Sequence, residues 1–166
     1  MPPLSHFLQI PTKSINQDTL CLVGVVTLLS GFQLASFAKR VGHCRRKYKI
    51  TPPRIDGEEA FQRCFRAQQN CLEFFPIFMT VLWLSGIFFH QLPASLLGLY
   101  YLYERENYFV DYSRNSDGRI TPFRRSAQAL RAMALFSALG LFNILVRHVF
   151  HWDLLQTLTD TINVPL

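Results

Sequence analysis

Charged residues in this chain come in blocks separated by long uncharged stretches. Residues 19–38 contain no Asp, Glu, Lys or Arg, and neither do the 30 residues 74–103. A helix that crosses a bilayer needs about 20 mostly apolar residues. The first stretch fits one such helix, closed by Lys39 and Arg40. The second is too long for one helix. It divides at His90-Gln91-Leu92-Pro93, because a proline disfavours helical backbone at the residue before it. A fourth apolar segment runs from Ser126 to Val146, interrupted only by Arg131. Helical periodicity continues upstream of the second segment, from Glu59 to Cys71, and downstream of the third, from Glu104 to Tyr112. The pattern predicts helices at 19–40, 59–89, 93–114 and 122–149. The fold class is therefore all-α, an integral membrane four-helix bundle over residues 19–149. An N-terminal extension (1–18) and a C-terminal tail (150–166) flank it.

Composition narrows the class. Charged residues are 17% of the 166 and hydrophobic residues 49%, against about 25% charged in an ordinary soluble domain. The apolar content excludes disorder. Four cysteines in or beside apolar runs exclude a secreted disulfide scaffold. The first apolar run reads as a membrane helix and not a signal peptide, since Lys13 is the one basic residue before it and the run exceeds a signal core of about 7–15 residues. Lys39, Arg40, Arg45, Arg46, Lys47, Lys49 and Arg54 follow helix one, and Arg114, Arg119, Arg124 and Arg125 follow helix three. The positive-inside rule places these two loops in the cytosol and both termini on the other side. The net charge of +6 thus reads as a topology signal, with a contact to anionic membrane lipid. No nucleic-acid partner is expected, because no basic face on a soluble fold is present.

Ionisable groups within membrane helices are functional candidates. Arg66, Asn70 and Glu73 are spaced i, i+4, i+7 and share one helical stripe. A cation, an amide and a carboxylate in a row suit a polar ligand with both signs of charge: Arg grips a carboxylate, Glu takes an ammonium, and Asn both donates and accepts. The alternative is an intrahelical salt bridge that glues helices. Arg105, Tyr108 and Tyr112 repeat the pattern at i, i+3, i+7, against the alternative of an interfacial aromatic belt. Arg119 lies between the turn signal Asp117-Gly118 and Thr121-Pro122, well placed to meet an anion, or simply a positive flank. No CxxC or HExxH occurs, so no metal site is expected, and no phosphate loop or GxSxG is present. Cys64 and Cys71 read as small packing residues rather than a redox pair.

The block Arg66-Ala67-Gln68-Gln69-Asn70-Cys71-Leu72-Glu73-Phe74-Phe75-Pro76, with Tyr48-Lys49-Ile50-Thr51-Pro52-Pro53 and Gly86-Ile87-Phe88-Phe89-His90, resembles the MAPEG family, the membrane-associated proteins in eicosanoid and glutathione metabolism. The likeness runs from about residue 20 to 145. It implies a homotrimer with three glutathione sites between adjacent subunits, in the endoplasmic reticulum or nuclear envelope. By position, it implies that Arg66, Asn70, Glu73, Tyr108 and Tyr112 bind glutathione within one subunit. Arg45 and Gln68 would reach it from the neighbour. Arg119 matches the arginine that activates the thiol, and Arg46 the one that assists epoxide opening. Phe74 and Arg131 depart from the family's leukotriene-forming branch, which has a tyrosine and a tryptophan there. The implied activity is conjugation of glutathione, as cosubstrate, to a lipid electrophile such as leukotriene A4, with glutathione peroxidase activity beside it. Two alternatives stand: a non-enzymatic lipid-binding scaffold, as the family's lipoxygenase-activating member is, and a channel or adaptor.

Overall fold

A computed structural model describes residues 20–150. The expected extension 1–18 and, apart from Phe150, the expected tail 150–166 lie outside the described residues. The described chain is all-helical, with α1 at Cys21–Lys47, α2 at Glu59–Phe88, α3 at Gln91–Arg114 and α4 at Ile120–Phe150. A 3-10 turn at Asp117–Arg119 leads into α4.

Side-chain contacts give the helix directions. Asn70 meets Arg105 near one end of the α2–α3 pair, and Phe78 stacks on Tyr101 further along, so these helices are antiparallel. Glu104 faces Arg125 and Tyr108 faces Phe123, so α3 and α4 are antiparallel too. Gln33 donates to the Leu102 carbonyl and Phe37 stacks on Phe109, which sets α1 parallel to α3. The result is an up-down-up-down bundle. One apolar cluster centres on Val26, Phe78, Leu82, Tyr101 and Met133, and a second on Phe37, Phe61, Cys64 and Phe109. Three buried hydroxyls bond to their own helix: Ser30 donates to the Thr27 carbonyl, Ser85 to Leu82 and Ser137 to Met133. Such local bonds suit helices that cannot turn to water.

Three helices, α1, α2 and the one ending in α4, are long and apolar enough to cross a membrane. The sequence pattern predicts four. The third falls short because Glu104, Arg105 and Glu106 follow directly on the uncharged residues 91–103. Large apolar side chains nevertheless line the outside of every helix, among them Leu28, Phe32, Leu96, Leu135, Phe142 and Leu145.

Helix ends differ from the expectation in three places, each for a physical reason. α1 does not stop at Lys39 and Arg40 but continues to Lys47. Charges end a hydrocarbon span, not a helix, and Val41 carries the buried stripe onward. The basic last turn, Arg45–Lys47, then lies at the negative end of the helix dipole. The chain leaves through Lys49 in the left-handed region (φ 54°), with the Ile50 amide donating to the Arg45 carbonyl at 2.9 Å. α3 begins at Gln91 and not at Pro93. A proline is tolerated in a first turn, whose N–H groups lack helical acceptors anyway, and His90 caps the end by accepting from the Leu92 amide at 3.1 Å. For the same reason α4 starts at Ile120, two residues before Pro122.

α4 crosses the end of α2 at Gly140. A Cβ there would lie 2.3 Å from the Phe88 carbonyl oxygen, a backbone atom that cannot swing aside. Gly140→Ala is expected to destabilise the chain by about 1–3 kcal/mol. Gly24→Ala, with no atom within 4 Å of the new Cβ, should be neutral or mildly stabilising. Thermal unfolding in detergent, followed by tryptophan fluorescence, checks the contrast.

Candidate functional site

The α2 stripe faces the C-terminal half of α3 across a small polar cavity. Arg66, Gln69, Asn70 and Glu73 supply one wall, Tyr108 and Tyr112 the other, and Arg119 the edge, around about 180 Å³. The antiparallel pairing of α2 with α3 sets the tyrosines opposite the stripe. The two rings meet edge to face, 5.7 Å between centroids. Arg119 comes from the 3-10 turn. Its guanidinium donates to the Ser116 carbonyl and lies 5.0 Å from the Tyr112 ring centre. The turn itself is braced by the Asn115 side chain, which accepts from the Asp117 amide at 3.3 Å. A second cavity of about 420 Å³ adjoins the first and shares Asn70, Tyr108 and Arg119, with Ile120, Phe123 and Arg124 completing it.

Arg105 lies behind the polar cavity. It is 2% exposed. Its Nε donates to the Tyr101 hydroxyl at 3.0 Å and its Nη1 to Asn70 Oδ1 at 2.9 Å. The rings of Phe74, Tyr101, Tyr108 and Phe123 surround it at 4.6 to 5.8 Å. The Arg105 bond takes one lone pair of the Asn70 oxygen and leaves both amide N–H groups for the cavity. Glu104, 1% exposed, turns the other way. One of its oxygens is 3.6 Å from Arg125 Nη1 and the other has no hydrogen-bond partner among the described residues.

Six of the residues singled out from the sequence thus come together around one cavity: Arg66, Asn70, Glu73, Tyr108, Tyr112 and Arg119. Among the described residues neither Arg66 nor Glu73 enters an ion pair, so the helix-gluing alternative does not describe this stripe. Arg105 and Phe74 support the cavity from behind and do not line it. Arg45, Arg46 and Gln68 lie apart from it within one chain. Arg45 folds back at the end of α1, donating to the Arg54 carbonyl at 2.6 Å and packing over Phe61 and Phe65. Arg46 is exposed beside it, and Gln68 is half-buried on another face of α2. The loop that receives Arg45 carries an exposed Arg54–Asp56 pair, and the hydrogen bond from Arg54 holds the Asp56 carboxyl below its ordinary range.

Sequence reasoning missed Gln69, although its spacing shows it: it lies three residues after Arg66 and four before Glu73, on the same stripe. It missed the buried Glu104, whose orientation toward α4 depends on packing. Among the described residues, no three or more His, Cys, Asp or Glu side chains are gathered so as to hold a metal ion.

Comparison with known proteins bears on this arrangement. The sequence profile of the MAPEG family matches residues 23–142. The chain is 48% identical to microsomal glutathione S-transferase 2 of Homo sapiens over 122 residues, covering 74% of this chain and 83% of that one. It is 41% identical to the Bos taurus protein of the same name over 137 residues, 82% of this chain and 94% of that one. It is 43% identical to leukotriene C4 synthase of Mus musculus over 125 residues, 75% of this chain and 83% of that one. With a profile match across most of its length and relatives above 40% identity, this chain belongs to the MAPEG family.

Proposed function

We propose that the chain is a membrane-bound glutathione transferase that joins the glutathione sulfur to a lipid electrophile of the epoxide type. The observation that carries this reading is one cavity lined by Arg66 and Glu73, which have no ion-pair partner among the described residues, with a second, larger cavity that shares Arg119. Glutathione has two carboxylates, one ammonium, two amides and a thiol. Arg66 suits a carboxylate, Glu73 the ammonium, and Asn70 and Gln69 the amides. Tyr108 and Tyr112 add hydroxyls. Arg119 borders both cavities, which is where sulfur and electrophile have to meet. The thiolate is the nucleophile, and a guanidinium beside it favours the ionised form at every relevant pH. Ile120 and Phe123 give the second cavity an apolar wall for a lipid chain. Holding both reactants there supplies proximity and orientation.

The finer parts belong to the same proposal. The functional unit is a homotrimer in which Arg45 and Gln68 serve the glutathione site of the adjacent copy. Their separation from the cavity within one chain is what such an arrangement requires. Arg46 assists opening of the epoxide. All four helices cross the membrane of the endoplasmic reticulum or nuclear envelope. The basic loops, and with them the cavity mouth at Arg119, face the cytosol. Glutathione peroxidase activity on lipid hydroperoxides uses the same thiolate.

Ultraviolet absorbance of the thiolate tests the reading. Glutathione added to the purified protein in detergent is expected to give the thiolate band at neutral pH. Arg119→Ala is expected to bind glutathione without the band and to lose about 10²–10⁴-fold in conjugation rate. Activation lowers the bound thiol's pKa, so wild-type rate should already be near its plateau at pH 7. The variant's rate should instead climb with pH toward an ordinary thiol value of about 8.5. Failure of wild type to bind glutathione would discard the transferase reading in favour of a lipid-presenting scaffold.

A second prediction concerns binding. Arg66→Ala and Glu73→Gln should each raise the KM for glutathione by about 10–100-fold, the loss of one charge-assisted contact. The kcat at saturation should change far less. Steady-state kinetics over glutathione concentration read the split.

A further inference from the structure

The second cysteine of the chain lies against the third. Cys44 Sγ, on the last turns of α1, is 2.9 Å from Cys64 Sγ, on the first turns of α2, and both are free thiols. They border a cavity of about 330 Å³ on a different side of α3 from the glutathione site, and Arg40, His43 and Arg114 border it too. Cys44 is partly exposed and Cys64 is buried behind it. Of the other two cysteines, neither Cys21 nor Cys71, which follows Cys64 two turns further along α2, lines this cavity.

We propose that Cys44 and Cys64 form a redox-active dithiol that is oxidised by an anionic disulfide, of the chemical class of glutathione disulfide, to a bond between α1 and α2. The Cys44 thiolate attacks one sulfur of glutathione disulfide. A Cys44–glutathione mixed disulfide forms, and one glutathione leaves as thiolate and takes up a proton. The Cys64 sulfur then attacks Cys44 Sγ, forming the Cys44–Cys64 bond and releasing the second glutathione with the Cys64 proton. Two electrons pass from the protein dithiol to the oxidant, and two thiols of glutathione result.

Three features support this. The sulfurs already face each other and have to close by only about 0.9 Å to reach a disulfide bond length. The exposed sulfur is the one an incoming disulfide meets first, and the buried one is positioned to resolve the adduct. Arg114, beside the Arg40–Glu106 pair, gives the cavity edge a cation that suits a carboxylate of a glutathione-type oxidant. The bond would tie the end of α1, with Arg45 and Arg46, to the start of α2. The site is separate from the polar cavity and stands whether or not the transferase reading holds.

The test uses the full chain in detergent, reduced, desalted and incubated anaerobically with glutathione disulfide. Remaining thiols are then alkylated and the protein mapped by mass spectrometry. The expected product is about 2 Da lighter than the reduced chain before alkylation. It yields a peptide linking Cys44 to Cys64, with Cys21 and Cys71 alkylated, and excess reduced glutathione reverses it. In Cys64→Ser the adduct should persist on Cys44, adding about 300 Da. A Cys44 adduct that never resolves in wild type overturns the proposal. So does a bond to Cys21 or Cys71, or four unreacted thiols.

Discussion

A guanidinium buried among aromatic rings holds this bundle in register. Arg105 carries its charge to 2% exposure, which costs several kcal/mol of desolvation unless the group is well met. Hydrogen bonds to Tyr101 and Asn70 and four rings around it offset part of that cost, while Nη2 finds no hydrogen-bond partner among the described residues. A shift of α2 against α3 by one residue would take Asn70 away and leave the charge buried with one bond fewer. The cost of an uncompensated buried charge therefore fixes the pairing. That pairing in turn puts Arg66, Asn70 and Glu73 opposite Tyr108 and Tyr112. Glu104, the next residue back, turns toward α4 and Arg125. Adjacent acid and base on α3 thus point to different neighbours, and α3 is the strut on which the other helices are aligned. The same charges make α3 too polar to qualify as a membrane span by composition.

Much of this was legible in the sequence, for reasons that can be named. The absence of charge over residues 19–38 and 74–103 has one physical meaning in a chain this size, and the helices followed from it. The Arg66, Asn70 and Glu73 stripe followed from helical spacing alone, and the cavity contains all three. The helix ends were less legible. Arg40 closes the uncharged run, yet its guanidinium lies over the Phe37 and Phe109 rings and pairs with Glu106, so the helix has no reason to end there. The expected break between the second and third helices is present, but α3 starts at Gln91, ahead of Pro93, because a first turn has no hydrogen bonds for proline to lose.

The less legible features are tertiary. Spacing put Arg105 on a stripe with Tyr108 and Tyr112, which suggested a ligand contact. Only packing against α2 and α4 shows that it orients Asn70 from behind. Gln69 was overlooked although the same spacing rule includes it. The Cys44–Cys64 pair joins residues far apart in sequence, and spacing within one helix pointed instead to Cys64 with Cys71. Arg45, Arg46 and Gln68 were assigned by family likeness, and no geometry within a single chain brings them to the cavity. Their proposed role needs a second copy.

The division of the site into two cavities has a chemical consequence for the proposed reaction. Glutathione is an ionic tripeptide and the electrophile a lipid, so each has its own solvent and one environment cannot hold both. The polar cavity carries charge of both signs, from Arg66, Glu73 and Arg119. Its neighbour has Ile120 and Phe123. Arg119 borders both, and its guanidinium donates to the Ser116 carbonyl and lies over the Tyr112 ring. A cation fixed in advance needs no reorganisation when negative charge develops on sulfur, and that is the condition under which electrostatic stabilisation of a transition state is largest. A flexible lysine at this position would carry the same charge but would have to be ordered at each turnover. The turn that carries Arg119, rather than the helices alone, is thus the element on which the rate of the proposed chemistry depends.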